Sequence, residues 1–296
     1  MSAVLTTNPP PQAAAGSRHK KRRFLGGILR TNSGRVGVVL FVLTVGIAIF
    51  GRYFATYSPY ATLGVPGAAA GGGHLLGLDF IGRDVLSRAL YGGRNTLFLA
   101  GLATLLTYVV GTTIGLVAGY SRSLVDPILM RSIDVLLTVP ALLVILLLVT
   151  AFGAGSLVLV IATSLVLMPG LTRIVRSATL GVCTRGYVEA AAARGDSSRQ
   201  ILLREVLPNI LGVIAADLGV RFSWGIILIA SVNFLGVGIQ PPTADWGLMV
   251  SENRVIIGSN PLAIIAPAIL LGLLIVSVNL MSDAYTRQRD RSEAPE

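Results

Sequence analysis

Long apolar runs separated by short polar breaks dominate the chain. Six runs stand out, at 36–54, 96–120, 133–152, 157–175, 210–235 and 262–281. Each is close to the roughly 20 residues that a helix needs to cross the hydrocarbon core. Within lipid a backbone must satisfy its own hydrogen bonds, so such runs are read as helices. The pattern predicts an all-α membrane protein with six transmembrane helices and both termini on one side.

The polar breaks differ in character. Residues 1–17 are rich in Pro, Ala, Thr and Ser, and their composition reads as disordered. The basic run RHKKRR follows at 18–23, so 1–35 is read as a basic tail. The run at 36–54 is long, and Arg52 and Tyr53 stand where a cleavage site would be needed. It is therefore read as a retained span and not a signal peptide. Residues 55–95 form the longest break, Gly-rich at 65–73, and its second half carries apolar residues at helical spacing. That spacing predicts a short interfacial helix over 76–94. Residues 36–285 make up the membrane domain, and 286–296 form a polar C-terminal tail.

Charge orients this arrangement. Net charge is +10, yet the cations sit at the ends of apolar runs. That is an orienting pattern, not a nucleic-acid surface. If the N-terminus is cytoplasmic, the inside segments hold 18 of the 24 Lys and Arg and the outside segments hold five. Both termini and the break at 187–209 then face the cytoplasm, and 55–95 faces outward.

Little catalytic chemistry is in view. Charged residues make up 13% of the chain, against about a quarter in soluble proteins. One cysteine, Cys183, excludes an intrachain disulfide and a thiolate cluster. His19 and His74 lack metal-ligand spacing, so no metal site is expected. No phosphate-binding loop occurs, and no lysine follows Lys21.

The break at 187–209, YVEAAAARGDSSRQILLREVLPN, has a shape of its own. Residues 189–194 are Ala-rich and helix-prone, and Gly195 is placed to end that helix with positive φ. Ser197 and Gln200 form a capping-box pair opening a second helix. Ile201, Leu202 and Val206 supply its apolar stripe, and Pro208 is expected to break the chain before the fifth span. A helix–turn–helix at the membrane surface results. Taken alone, it could be a solvated connector.

The spacing Glu189-Ala190-Ala191, three residues, Gly195, five residues, Ile201, five residues, Leu207-Pro208 resembles the EAA loop of the membrane subunits of bacterial ABC importers. GLDFIGRDVLSRALYGGRNTL at 77–97, MRSIDVLLTVPALL at 130–143, NFLGVGIQPPTADWGLMV at 233–250 and NLMSDAYTRQRD at 279–290 narrow the resemblance. They resemble the C-type permease subunit of the dipeptide/oligopeptide/nickel transporters, over about 30–290. The resemblance implies a MetI-like, type I ABC importer transmembrane fold in the bacterial cytoplasmic membrane. It implies a homologous second permease subunit, two ATPase subunits that bind ATP and Mg, and an extracytoplasmic substrate-binding protein. This chain itself would bind no cofactor and catalyse nothing. Glu189, Ala190, Ala191, Gly195, Ile201, Leu207 and Pro208 would form the coupling helix seated on an ATPase. Arg83, Asp84 and Arg88 would brace the external element or meet the binding protein, with bracing favoured.

Asp217 and Arg221, four residues apart in the fifth span, share a helix face. Ionisable groups at such depth face a water-filled cavity or the bundle interior. They are candidates for the translocation pathway, with Asn233 beside them; the alternative is a self-neutralising pair. Trp224 and Trp246 are expected in an interfacial belt. The leading expectation is a peptide-import permease. Nickel, haem or another solute is the same-family alternative, and a stand-alone secondary transporter is the alternative from a different class.

Overall fold

The structure is a computed structural model, and it describes residues 31–121 and 123–293; side chains are described to residue 288. The basic run at 18–23 and most of the N-terminal tail lie outside the described residues.

Among the described residues, five helices are long and apolar enough to cross a membrane. These are α1 (Asn32–Phe50, continued by a 3-10 turn to Tyr53), α2 (Val85–Tyr120), α5 (Ser156–Cys183), α7 (Ser198–Phe234) and α9 (Leu262–Glu293). A sixth apolar stretch is broken in two. Helices α3 (Val125–Thr138) and α4 (Ala141–Phe152) meet at an angle of 88°. The run expected as a span at 133–152 is therefore sharply bent within its length. Pro140 disfavours a helical residue before it, and Val139 is extended at φ −98°, ψ 132°.

Two more expectations change. Residues 77–84 do not form an interfacial helix. They fold as a looped strip with bridges Thr62–Arg83 and Leu78–Asp84. Helix α2 starts at Val85, where the Asp84 carboxylate accepts the Ser87 N–H at 2.7 Å as an N-cap. The apolar spacing read as a separate helix is the first turns of this long one. Nor does Pro208 break the chain. Helix α7 runs through it, and residues Ile201–Val206 just before it are π-helical. There the Leu207 N–H reaches back five residues to Leu202 O. The widened turn stands directly before the residue that has no N–H to give. At the other terminus α9 runs on to Glu293, so the helix extends well into the expected C-terminal tail.

Helices α2 and α5 form the most extensive pair. Gly111, Gly115 and Gly119 repeat every four residues along α2, on the face that meets α5. A Cβ on Gly115 would lie 2.7 Å from Val175 Cβ, so only glycine permits this approach. Helix α7 packs against both, and α9 packs against α1 and α7. Helix α3 is clasped to α5 by two ion pairs: Arg176 Nε and Nη2 each donate to Asp126 at 2.6 Å, and Arg173 Nη2 donates to Asp134 at 2.5 Å.

The main core runs through α2, α5 and α7 around Leu99, Ala103, Leu159, Ile226 and Ile229. A second, smaller core lies at one end of the bundle and joins Leu116, Leu171 and Val175 to Val188, Ala191, Ile201, Val206 and Ile210. At the opposite end, residues 54–84 and α8 (Trp246–Asn253) form a cap.

Candidate functional site

The segment expected as an EAA loop folds as its local sequence dictates. Helix α6 (Gly186–Ala193) ends in a Schellman motif. Gly195 N–H donates to Ala192 O at 3.0 Å and Asp196 N–H to Ala191 O at 3.2 Å. Gly195 itself sits at φ +84°, which a side chain would strain. Ser197 then caps α7 in a full capping box: Gln200 N–H donates to Ser197 Oγ at 3.4 Å, and Ser197 N–H to Gln200 Oε1 at 2.9 Å.

The seven coupling candidates separate into two sets. Glu189, Ala190, Gly195 and Pro208 are exposed. Ala191 and Ile201 are buried, and Leu207 is half-buried. Ala191 and Ile201 therefore pack the second core, with Val188 and Val206, and do not offer a contact surface. The loop is thereby fixed to α2 and α5 through Leu116, Leu171 and Val175, while a polar ridge carrying Glu189 and Arg194 points away.

Deeper in the bundle Asp217 and Arg221 do pair. Arg221 Nε donates to Asp217 Oδ2 at 2.8 Å. The same oxygen accepts the Tyr108 hydroxyl at 3.0 Å, and Arg221 Nη1 donates to Leu167 O at 3.3 Å. Gly170 makes the space, because a Cβ there would lie 2.5 Å from Arg221 Nη1. The two side chains are 13% and 17% exposed, a mutually neutralising pair tied to α2 and α5. Asn233 is not with them. It is fully buried, donating to Asp245 Oδ1 at 2.9 Å and accepting the Ile239 N–H at 2.9 Å. The pathway expectation for Asn233 is therefore corrected: its amide holds the loop after α7 in place.

The cap holds a buried ionic cluster. Arg83 Nε donates to Asp79 Oδ2 at 2.6 Å and Arg88 Nη2 to Glu252 Oε2 at 2.6 Å, while Arg83 Nη2 reaches Glu252 at 3.3 Å. All four side chains are at most 5% exposed. Burial pushes the Glu252 carboxyl above its ordinary range, and Arg88 and Arg83 pull it part of the way back. Asp84 is buried and receives His74 Nδ1 at 2.9 Å. Arg83, Asp84 and Arg88 thus brace the cap from inside.

Asp245 does the same for α8. It accepts from Thr96 Oγ1 at 2.7 Å, from Asn233, and from Gly247 N and Leu248 N at 2.9 and 3.2 Å. Burial pushes its carboxyl up against the pull of these donors. Trp246 is fully buried, its indole N–H donating to Ala89 O at 2.7 Å. The expectation of an interfacial Trp246 is corrected, whereas Trp224 is 53% exposed. Sequence reading missed Asp79, Glu252, Asp245 and Tyr108. Asp245 had a local signal, a carboxylate just before a helix start. Asp79 had one too, standing four residues before Arg83. Glu252 and Tyr108 have partners at distant positions in the chain.

Residues 111–291 match the family model described as the binding-protein-dependent transport system inner membrane component. The chain belongs to this family. Among curated relatives, the glutathione transport system permease protein GsiD of Pectobacterium atrosepticum is 33% identical, over 88% of each chain. The di/tripeptide transport system permease protein DppC of Pseudomonas aeruginosa is 33% identical, over 85% of this chain and 86% of its own. The oligopeptide transport system permease protein OppC of Haemophilus influenzae is 34% identical, over 72% and 68%. A solved inward-facing structure of the MetNI methionine ABC transporter shares the fold, with TM-score 0.56 at 17% identity over 70% of this chain and 95% of that one. This permease is thus an ABC importer subunit with a MetI-like fold. The matched stretch contains the whole of α6 and α7, the Asp217–Arg221 pair and α8, and it leaves out α1 and most of the cap.

Proposed function

We propose that this permease forms half of the translocation pathway of an ATP-driven importer of di- and oligopeptides. A homologous permease supplies the other half. Two cytoplasmic ATPase subunits bind ATP and Mg, an extracytoplasmic binding protein delivers the peptide, and this chain performs no catalysis. Supporting this reading, the curated relatives cited above are permeases of peptide or glutathione transport systems. The observation that carries it is the build of the 186–209 segment: an exposed ridge with Glu189 and Ala190, locked from behind to the two best-packed helices.

The physical logic is rigid-body coupling. Force applied by an ATPase at Glu189 passes through Val188, Ala191, Ile201 and Val206 to the α2–α5 pair without being lost in a soft hinge. Gly195 allows the turn, and the continuity of α7 through Pro208 joins the same loop to the helix carrying Asp217 and Arg221. The arginine distribution supports an orientation with this end in the cytoplasm and the cap outside. Asp217 and Arg221 are partly exposed, and in the assembled complex they line the pathway.

The test is uptake by proteoliposomes holding both permeases and both ATPases, with binding protein outside. Labelled di- and tripeptides accumulate only when ATP is supplied on the ATPase side. Accumulation of none of a varied peptide panel, with intact ATP hydrolysis, contradicts the assignment.

A further inference from the structure

The cap end carries a feature that neither the buried ionic cluster nor the loop explains. A cavity of about 330 Å³ opens between the first turns of α2 and the loop after α7, lined by Tyr60, Tyr91, Arg94, Asn95, Phe98 and Thr243. Arg83 and Arg88, earlier in the same strip, are buried and paired. Arg94 stands exposed in the cavity wall and belongs to no ion pair among the described residues. Beside it the Asn95 amide nitrogen is buried without a hydrogen-bond partner. Leaving a buried donor unsatisfied is costly, so this spot in the wall is under polar strain.

The rest of the wall is aromatic. Tyr60 is 60% exposed and Phe98 64%, with Tyr91 half-buried between them. The frame is stiff. Thr96, next to Asn95, donates to Asp245 at 2.7 Å, and Asp245 adjoins the Thr243–Ala244 wall. Trp246 ties the same loop to Ala89. The two walls therefore keep their spacing.

A planar guanidinium with no ion-pair partner among the described residues suits a carboxylate, which it can grip with two parallel N–H donors. Aromatic walls suit the apolar side chain next to it. We propose that this cavity is a subsite for the C-terminal carboxylate and last side chain of an incoming peptide, at the outer mouth of the pathway. The proposal rests on the peptide-import reading above. It commits to the substrate as the source of the carboxylate; an acidic side chain of the binding protein is the competing source.

The experiment uses the complete reconstituted complex with binding protein. The probe is a tripeptide ending in photoreactive p-benzoyl-phenylalanine, as free acid and as C-terminal amide. The free acid cross-links to the segment holding Tyr91 and Phe98, and the amide cross-links poorly. Arg94→Gln lowers the free-acid yield to the amide level and raises the uptake KM by about tenfold, the effect of losing a charged hydrogen bond, with kcat unchanged. Arg94→Lys restores part of the yield, which shows that the variants assemble. Equal labelling of acid and amide, labelling elsewhere, or an unchanged Arg94→Gln KM overturns the proposal. So does a loss of peptide-free binding-protein docking in Arg94→Gln, which would identify the binding protein as the ligand. If the wild-type complex takes up no peptide at all, the import reading fails, and this one with it.

Discussion

Glu252 faces two arginines at once, and its acceptance of both decides whether the cap holds. Its Oε2 serves Arg88 at 2.6 Å and Arg83 at 3.3 Å in a site closed to solvent. Removing one partner from a buried ionic group leaves uncompensated charge, at a cost of about 3–5 kcal/mol. Glu252→Ala is therefore expected to lower the unfolding temperature of the purified permease sharply, and the exposed control Arg254→Ala to leave it unchanged. A smaller effect is expected in the membrane: Tyr108→Phe removes one hydrogen bond to Asp217 and costs about 1 kcal/mol. Asp217→Leu strands Arg221 next to Leu167 O and costs more, so thermal unfolding of the two variants should rank in that order. The partnerships of Glu252 and of Tyr108 were not legible in the sequence. Arg83 and Glu252 stand 169 residues apart, and only the fold brings them together. The Asp217–Arg221 pair was legible because four-residue spacing on a helix is local geometry. Asn233 and Trp246 were misplaced for the same reason as Glu252. Each has a polar group whose partner lies across the bundle or in the following loop, and a buried polar group must find one.

Elements were legible where the physics is local. Apolar length marked the spans, because in lipid the helix must be long and self-satisfied. The turn at Gly195 and the capping box at Ser197 follow from a few neighbouring residues. They yield the third prediction: Ser197→Ala weakens the start of α7 by about 1 kcal/mol. Gly195→Ala, forced to φ +84°, costs roughly 1–2 kcal/mol. Amide exchange over α6 and the first turns of α7 should quicken in both variants, while α2 is unaffected. Elements were misread where two rules compete. Length alone argued for one span over 133–152, and the Val139–Pro140 step, which argues for a break, turned the chain by 88°. At Pro208 the reverse held, because the helix absorbed the proline through a π-helical stretch. Proline marks a place where the ladder must change and leaves open whether it ends. The spacing over 76–94 was truly helical from Val85 onward, but Gly82 at φ +85° and the Asp79 carboxylate fold the residues before it into a strip.

The whole molecule is a stiff bundle with a different device at each end. One end is a cap bolted by Asp79, Arg83, Arg88, Glu252 and Asp245, with the Arg94 cavity in its wall. The other is a loop whose apolar side is built into α2 and α5 and whose polar side is bare. A family match and 33% identity across most of the chain set the class of the protein, and the geometry indicates which side of the loop is free to be gripped. The central claim is that a separate ATPase grips the Glu189 ridge. Pull-down of both ATPase subunits on the tagged permease complex, from detergent, tests it most directly. Wild type and the cap control Arg254→Glu are predicted to retain stoichiometric ATPase, whereas Glu189→Arg, with its folded permease pair intact, is predicted to lose it along with uptake. Full ATPase retention and unimpaired uptake in Glu189→Arg would contradict the account.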